Sequence, residues 1–176
     1  MVNPAISTLA VAVAAVAGWT DWRFRRIPNW LTVSALFLGI AVNWAVGGGS
    51  GARDSLLGAA LGLGLLLPFV LIRSLGAGDW KLVGALGAIA GPRSLLTILI
   101  ATVFVAGLMA TVLVIYKRRV RQTLANLGHM MASMLSFHLP GPTVSLDNPE
   151  SLKVPFGVAV AVAVLACTAA QAWGIS

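Results

Sequence analysis

Acid is the scarcest chemistry in this sequence. Five carboxylates, Asp21, Asp54, Asp79, Asp147 and Glu150, serve 176 residues, and charges of both signs make up only 10% of the chain. A soluble globular domain averages about 25% charged and 45–50% apolar residues; here 59% are hydrophobic. That balance excludes an ordinary soluble domain and points to a membrane protein. Cysteine is nearly absent too. A lone Cys167 excludes an internal disulfide and any zinc site built from several cysteines, and it reads as a small residue of an apolar run. The two histidines, His129 and His138, have no second ligand cluster at metal-binding spacing. They read as surface or interfacial residues, so neither a metal nor another cofactor is expected.

What is present in quantity is apolar run. A membrane-crossing helix needs about 20 apolar residues, and runs of that kind fall at 3–20, 30–46, 55–72, 80–92, 94–116 and 154–173. The sequence therefore predicts an all-α fold, a single polytopic membrane bundle of six transmembrane helices over 1–176. The fourth run is short and ends at Gly91-Pro92, which suggests tilt, local thinning or burial against neighbours. The first has no basic residue before it and reads as a retained helix, not a cleaved signal.

The net charge of +7 does not imply nucleic acid, because no polar domain remains to present a basic face. The bases sit at the ends of the runs. Arg23, Arg25, Arg26, Arg73, Lys81, Lys117, Arg118, Arg119, Arg121 and Lys153 fall on one side of the six-run map, and Arg53 and Arg93 on the other. Cytoplasmic loops collect Lys and Arg, so the larger group marks the cytoplasmic side and both termini are extracytoplasmic. The longest connection, 117–153, begins basic and continues with Leu124, Leu127, Met131, Met134 and Leu135 at helical spacing. Such a segment suits the cytoplasmic interface, where it is expected to help admit a substrate.

Small residues recur where helices would touch. Gly58 and Gly62 lie four apart, and Gly84, Ala88 and Gly91 share one face of the fourth run, a spacing that lets backbones approach closely in lipid. "GGGSG" at 47–51 reads as a flexible external turn. Asp54 or Ser55 is placed to cap the third run, and Asp147 and Glu150 lie in a proline-bracketed loop.

Asp21 and Asp79 differ from the other acids, because both fall at the cytoplasmic boundary of apolar runs. A carboxylate at such depth costs roughly a few kcal/mol and faces a partner or a watery cavity. Salt bridges, Asp21 to Arg23 or Arg25 and Asp79 to Lys81, are one way to satisfy them. Gly76 and Gly78, which bracket Ala77 just before Asp79, suggest another, since glycine admits close backbone approach. An extended peptide lying there would meet the acid. Two carboxylates meeting in a partly desolvated site share a proton. One then acts as general base on a water while the other protonates a departing amide nitrogen, with the proton belonging to the pair.

"TDWRFRRIPNWLT", "GAGDWKLVGALGAIAG" and "KVPFGVAVAVAV", in that order, resemble the blocks of the type IV prepilin leader peptidases, and more narrowly the small branch serving tight-adherence (Flp) pili. The resemblance implies an intramembrane aspartyl protease of the bacterial inner membrane. It would cleave the short basic leader of a prepilin at the cytoplasmic face, with the prepilin and the bilayer as its partners. It implies Asp21 and Asp79 as the catalytic pair and Gly76 and Gly78 as shapers of the loop. Arg26, Pro28 and Asn29 match the first block, Lys81 the basic residue after the second aspartate, and Pro155 and Gly157 the last block. Longer members insert a cytoplasmic domain, often with paired cysteines, between the first two spans and also methylate the new pilin N-terminus. Its absence here argues against methyl transfer. The same chemistry on a pseudopilin or archaellin-type leader, a small proton- or cation-coupled transporter, and a non-catalytic assembly protein stand as alternatives.

Overall fold

A computed structural model of the chain describes residues 3–71, 75–117 and 154–174. Among them lie four helices, α1 (Pro4–Phe24), α2 (Asn29–Leu71), α3 (Ala77–Tyr116) and α4 (Phe156–Ala172). The first three are long and apolar enough to cross a membrane. All but the first residue of the expected interfacial segment 117–153, with His129, His138, Asp147 and Glu150, lies outside the described residues. Met1–Val105 and Pro155–Ser176 form one compact unit, and Ala106–Val154 a second. In the second unit the described end of α3 is exposed and apolar along Leu108, Val112, Ile115 and Tyr116.

Each helix begins and ends for a local reason. Pro4 occupies the first turn of α1, where its missing N–H costs nothing, and Asn3 Oδ1 accepts from the Ala5 N–H at 2.9 Å. At the other end Arg25 takes a left-handed backbone with φ 53° while its N–H donates to the Asp21 carbonyl. Pro28 then fixes the turn, its carbonyl accepting from the N–H groups of Leu31 and Thr32 to start α2. The result is a four-residue reversal between α1 and α2.

At about 1.5 Å per residue, a straight helix of 43 residues would run about 65 Å, twice the apolar thickness of a bilayer. α2 and α3 avoid this by breaking at one glycine each, Gly48 (φ 59°, ψ −142°) and Gly91 (φ 76°, ψ 171°). A Cβ added to Gly51 would collide with the Asn43 carbonyl, although eight residues of straight helix span about 12 Å. The chain therefore folds back at Gly48. Gly62 similarly abuts both Val83 and Leu95, which flank Gly91. The breaks fall at the expected boundaries between the second and third and between the fourth and fifth apolar runs.

At the glycine-rich 47–51 segment, expected as a flexible external turn, the chain does turn, but Gly48 alone leaves helical geometry and the Ser50 hydroxyl donates to the Gly47 carbonyl. One local expectation needs correction. Ser55 does not cap a helix start, because the helix is already under way. It is fully buried, and its hydroxyl donates to the Ala88 carbonyl of α3 at 2.6 Å. Asp54 is exposed.

Proline chemistry explains that contact. Pro92 has no N–H to offer the carbonyl four residues earlier, and the break at Gly91 disrupts the next bond. In an apolar surround an unmet carbonyl is costly. Asn43 Nδ2 donates to Ala88 O at 3.1 Å and Ile89 O at 3.0 Å, and Ser55 completes the set. Residues Leu82–Ile89 of α3 are all buried, which makes this segment the centre of the bundle. Small residues permit its close approach, since a Cβ on Gly58 or Gly87 would meet the other's carbonyl. The short fourth run is thus buried on every side against its neighbours. The outside is large and apolar, with Phe37, Trp44, Ile100, Val103 and Phe104 exposed, as suits lipid rather than water.

Asn43→Leu, which strands the Ile89 carbonyl and leaves Ala88 O to Ser55 alone, should cost about 1–3 kcal/mol, and Ser55→Ala about 0.5–1. Reversible unfolding in mixed micelles measures both, and an Asn43→Leu protein as stable as the parent would contradict the clamp.

Candidate functional site

The buried stripe of α1 runs Ala10, Val13, Ala14, Ala17, Gly18 and then Asp21. That spacing follows one helical face, so Asp21 occupies a core position by phase alone and is only 7% exposed. α1 packs mainly on α4, and small residues set how closely. A Cβ on Gly18 would lie 2.9 Å from that of Ala161 and 3.3 Å from the Gly157 carbonyl. This brings the start of α4 against Asp21.

α4 needs what Asp21 supplies. Its N-cap residue, Pro155, has no capping side chain, and the first N–H groups of a helix have no partner within it. The Gly157 N–H donates to Asp21 Oδ2 at 2.8 Å, between residues 136 apart in sequence. Asp21 thus caps α4 from another helix. Gly157 must be glycine for this approach, since a Cβ there would stand 2.9 Å from Asp21 Cβ and 3.1 Å from Oδ2. Asp21 Oδ1 has no protein hydrogen bond among the described residues.

Asp79 sits in the first turn of α3. The Trp80 N–H donates to the Gly76 carbonyl, so Gly76 is the residue just outside the helix and Asp79 the third inside it. A carboxylate there is placed to reach back toward the N–H of the residue before the helix. Gly76 and Gly78 hold the surroundings tight. A Cβ on Gly76 would come within 2.9 Å of Asp79 Oδ2, and one on Gly78 within 3.3 Å of Ile27 Cβ.

Asp21, Arg25, Arg26, Ile27, Gly76, Gly78 and Asp79 line one cavity of about 250 Å³. The two carboxyls, 58 positions apart in sequence, are near enough to interact electrostatically. The remaining residues singled out from sequence stand around this cavity, not in its wall. Lys81 Nζ donates to Asn29 Oδ1 at 3.0 Å, not to Asp79 as the salt-bridge reading has it. Pro28 sets the turn that presents Arg26 and Ile27, and Pro155 leads into Gly157. Sequence reading passed over Ile27, although it sits between Arg26 and Pro28 of the first block. It also passed over Trp80, whose indole N–H donates to the Leu63 carbonyl at 2.7 Å and ties the start of α3 to α2. Among the described residues no three His, Cys, Asp or Glu side chains gather as a metal site.

Chemically, the cavity offers two carboxylates from different helices in a space large enough for water, with two arginine residues along its wall. Asp21→Ala should lower stability by about 1–2 kcal/mol, the usual cost of losing a helix cap. Asp21→Asn keeps an acceptor for the Gly157 N–H and should unfold close to the parent. Thermal unfolding in detergent separates the two, and equal losses in both would show that the cap is unimportant.

Residues 8–115, from within α1 to the end of α3, match the type IV leader peptidase family. No curated protein and no solved structure matches the chain. α4, with its bond to Asp21, lies beyond the matched segment.

Proposed function

The chain belongs to the type IV leader peptidase family, and from that premise we propose that it is an intramembrane aspartyl endopeptidase in which Asp21 and Asp79 are the catalytic pair. The observation that carries this reading is their meeting in one cavity, from α1 and from the start of α3. Two carboxyls in a confined, partly apolar space favour the state in which one proton is shared. The ionised member takes a proton from water, and the oxygen attacks the scissile carbonyl. The protonated member gives its proton to the amide nitrogen as the carbon–nitrogen bond breaks. The pair ends with one proton again, so the cycle closes without a metal or a covalent intermediate.

The substrate in this reading is a prepilin of the type IV or Flp kind, a short basic leader followed by a hydrophobic helix. Gly76 and Gly78 line the cavity beside Asp79, where an extended peptide would lie, while Arg26 shapes another part of the wall and Gly157 fixes Asp21. The compact sequence between α1 and α2 leaves no place for the domain associated with methyl transfer, which favours the small Flp branch. A pseudopilin or archaellin-type leader would be cut by the same chemistry.

The membrane arrangement belongs to the same proposal. Counting the two halves of α2 and of α3 separately, with α1 and α4, gives six spans in the bacterial inner membrane. The basic ends of α1 and the start of α3 face the cytoplasm, and both termini lie outside. The dyad then opens toward the side on which a leader is made.

Membranes containing the protein should shorten a matching prepilin, and Asp21→Asn and Asp79→Asn should each abolish the product on a denaturing gel while leaving the protein folded. The rate should be bell-shaped in pH, falling when both carboxyls are protonated and again when both are ionised. Full cleavage by either variant would end the proposal.

A further inference from the structure

Asp79 owes its place to a short turn that the rest of the fold must hold in position. The chain enters it through Gly76-Ala77-Gly78, which carries little stiffness of its own. Two side chains immediately after the aspartate anchor it. Trp80 donates its indole N–H to Leu63 O at 2.7 Å, and Lys81 donates from Nζ to Asn29 Oδ1 at 3.0 Å. Residues two apart on a helix project in different directions, which is why Lys81 reaches Asn29 and does not pair with Asp79. Asn29 is the first residue of α2 and follows directly on the Arg26-Ile27-Pro28 turn that walls the cavity.

We propose that Lys81 and Asn29 form a strap that sets the separation of the two aspartates. This rests on the dyad reading above. Asp21 and Arg26 belong to the end of α1 and its turn, and Asp79 belongs to the start of α3. The Lys81–Asn29 bond is a side-chain hydrogen bond that joins these two segments, whereas Trp80 ties α3 to the far part of α2. Lys81 is thus a positioning residue and does not touch the reacting atoms. Its chemistry suits the task, because a long cationic stem reaches across the gap and the neutral amide oxygen of Asn29 accepts without adding a third carboxylate beside the pair.

The test has two independent readouts. In a Cys167→Ser background, spin labels at Phe24→Cys and Ala77→Cys, both exposed positions, report the distance between the end of α1 and the start of α3. The parent should give one narrow distribution. Lys81→Met and Asn29→Ala should each broaden it, and Lys81→Arg should narrow it again. An unchanged distribution in both Lys81→Met and Asn29→Ala overturns the strap, whatever the activity.

The second readout is cleavage of a prepilin with a basic leader. Misplacing catalytic groups by about an ångström costs up to about 100-fold, so Lys81→Met should lower kcat by about 10- to 100-fold with KM within about twofold. Asn29→Ala should do the same, and the double variant should be no worse than either alone. Lys81→Arg should recover most of the rate. A raised KM with kcat intact would make Lys81 a substrate contact, and multiplied losses in the double variant would mean separate roles. Either result overturns the strap. Should Lys81→Met fail to fold, Asn29→Ala and its acceptor-preserving partner Asn29→Asp carry the same comparison. Failure of the dyad reading looks different, since Asp21→Asn or Asp79→Asn would then keep cleaving while the label distances still report on the strap.

Discussion

A polar group inside a bundle this apolar has no solvent to bond with, so each one is placed by the partner that satisfies it. That constraint organises the molecule. The carbonyls stranded by Pro92 and Gly91 draw in Asn43 and Ser55 and lock the two halves of α2 onto the central segment of α3. The bare N-terminus of α4 draws in Asp21. The start of α3 is held by Trp80 and Lys81, each bonded to a different part of the chain. The same bonds that fasten the helices therefore also fix the acids.

Apolar contact alone would not be so selective. In lipid, large side chains are about as comfortable outside as inside, and the exposed Phe37, Trp44 and Phe104 show where they go. The interior sets small residues, which admit close helix approach, around a few large ones, Leu82, Leu86, Ile89 and Leu95. Gly18 against Gly157 and Ala161, and Gly58 against Gly87, are the points where a single methyl group would open the bundle. A candidate site built at such a junction inherits its rigidity.

Much of this was legible in the sequence. The apolar runs foretold an all-α protein, though the described residues form four helices, two of them broken at Gly48 and Gly91, and the ordered blocks foretold the family. Asp21 was readable as a core position because it continues a stripe from Ala10 at helical spacing. The remainder depended on contacts that periodicity does not carry. Nothing local to Asp21 announces a hydrogen bond to Gly157, and nothing local to Ser55 distinguishes a cap from a donor to Ala88. Lys81 looked like a partner for Asp79 because the two are neighbours in sequence, yet helix geometry sends them apart. The glycine cluster at 47–51 has the composition of a loop, but only Gly48 leaves helical geometry. The shortness of the fourth run was ambiguous until its neighbours were in place around it.

The bond between Gly157 and Asp21 also has a meaning in time. Asp21 leaves the ribosome 136 residues before the N–H that will hold it. Until α4 has been made, the early carboxyl lacks the bond that orients it. In the proteolytic reading, competence waits for α4 to be in place.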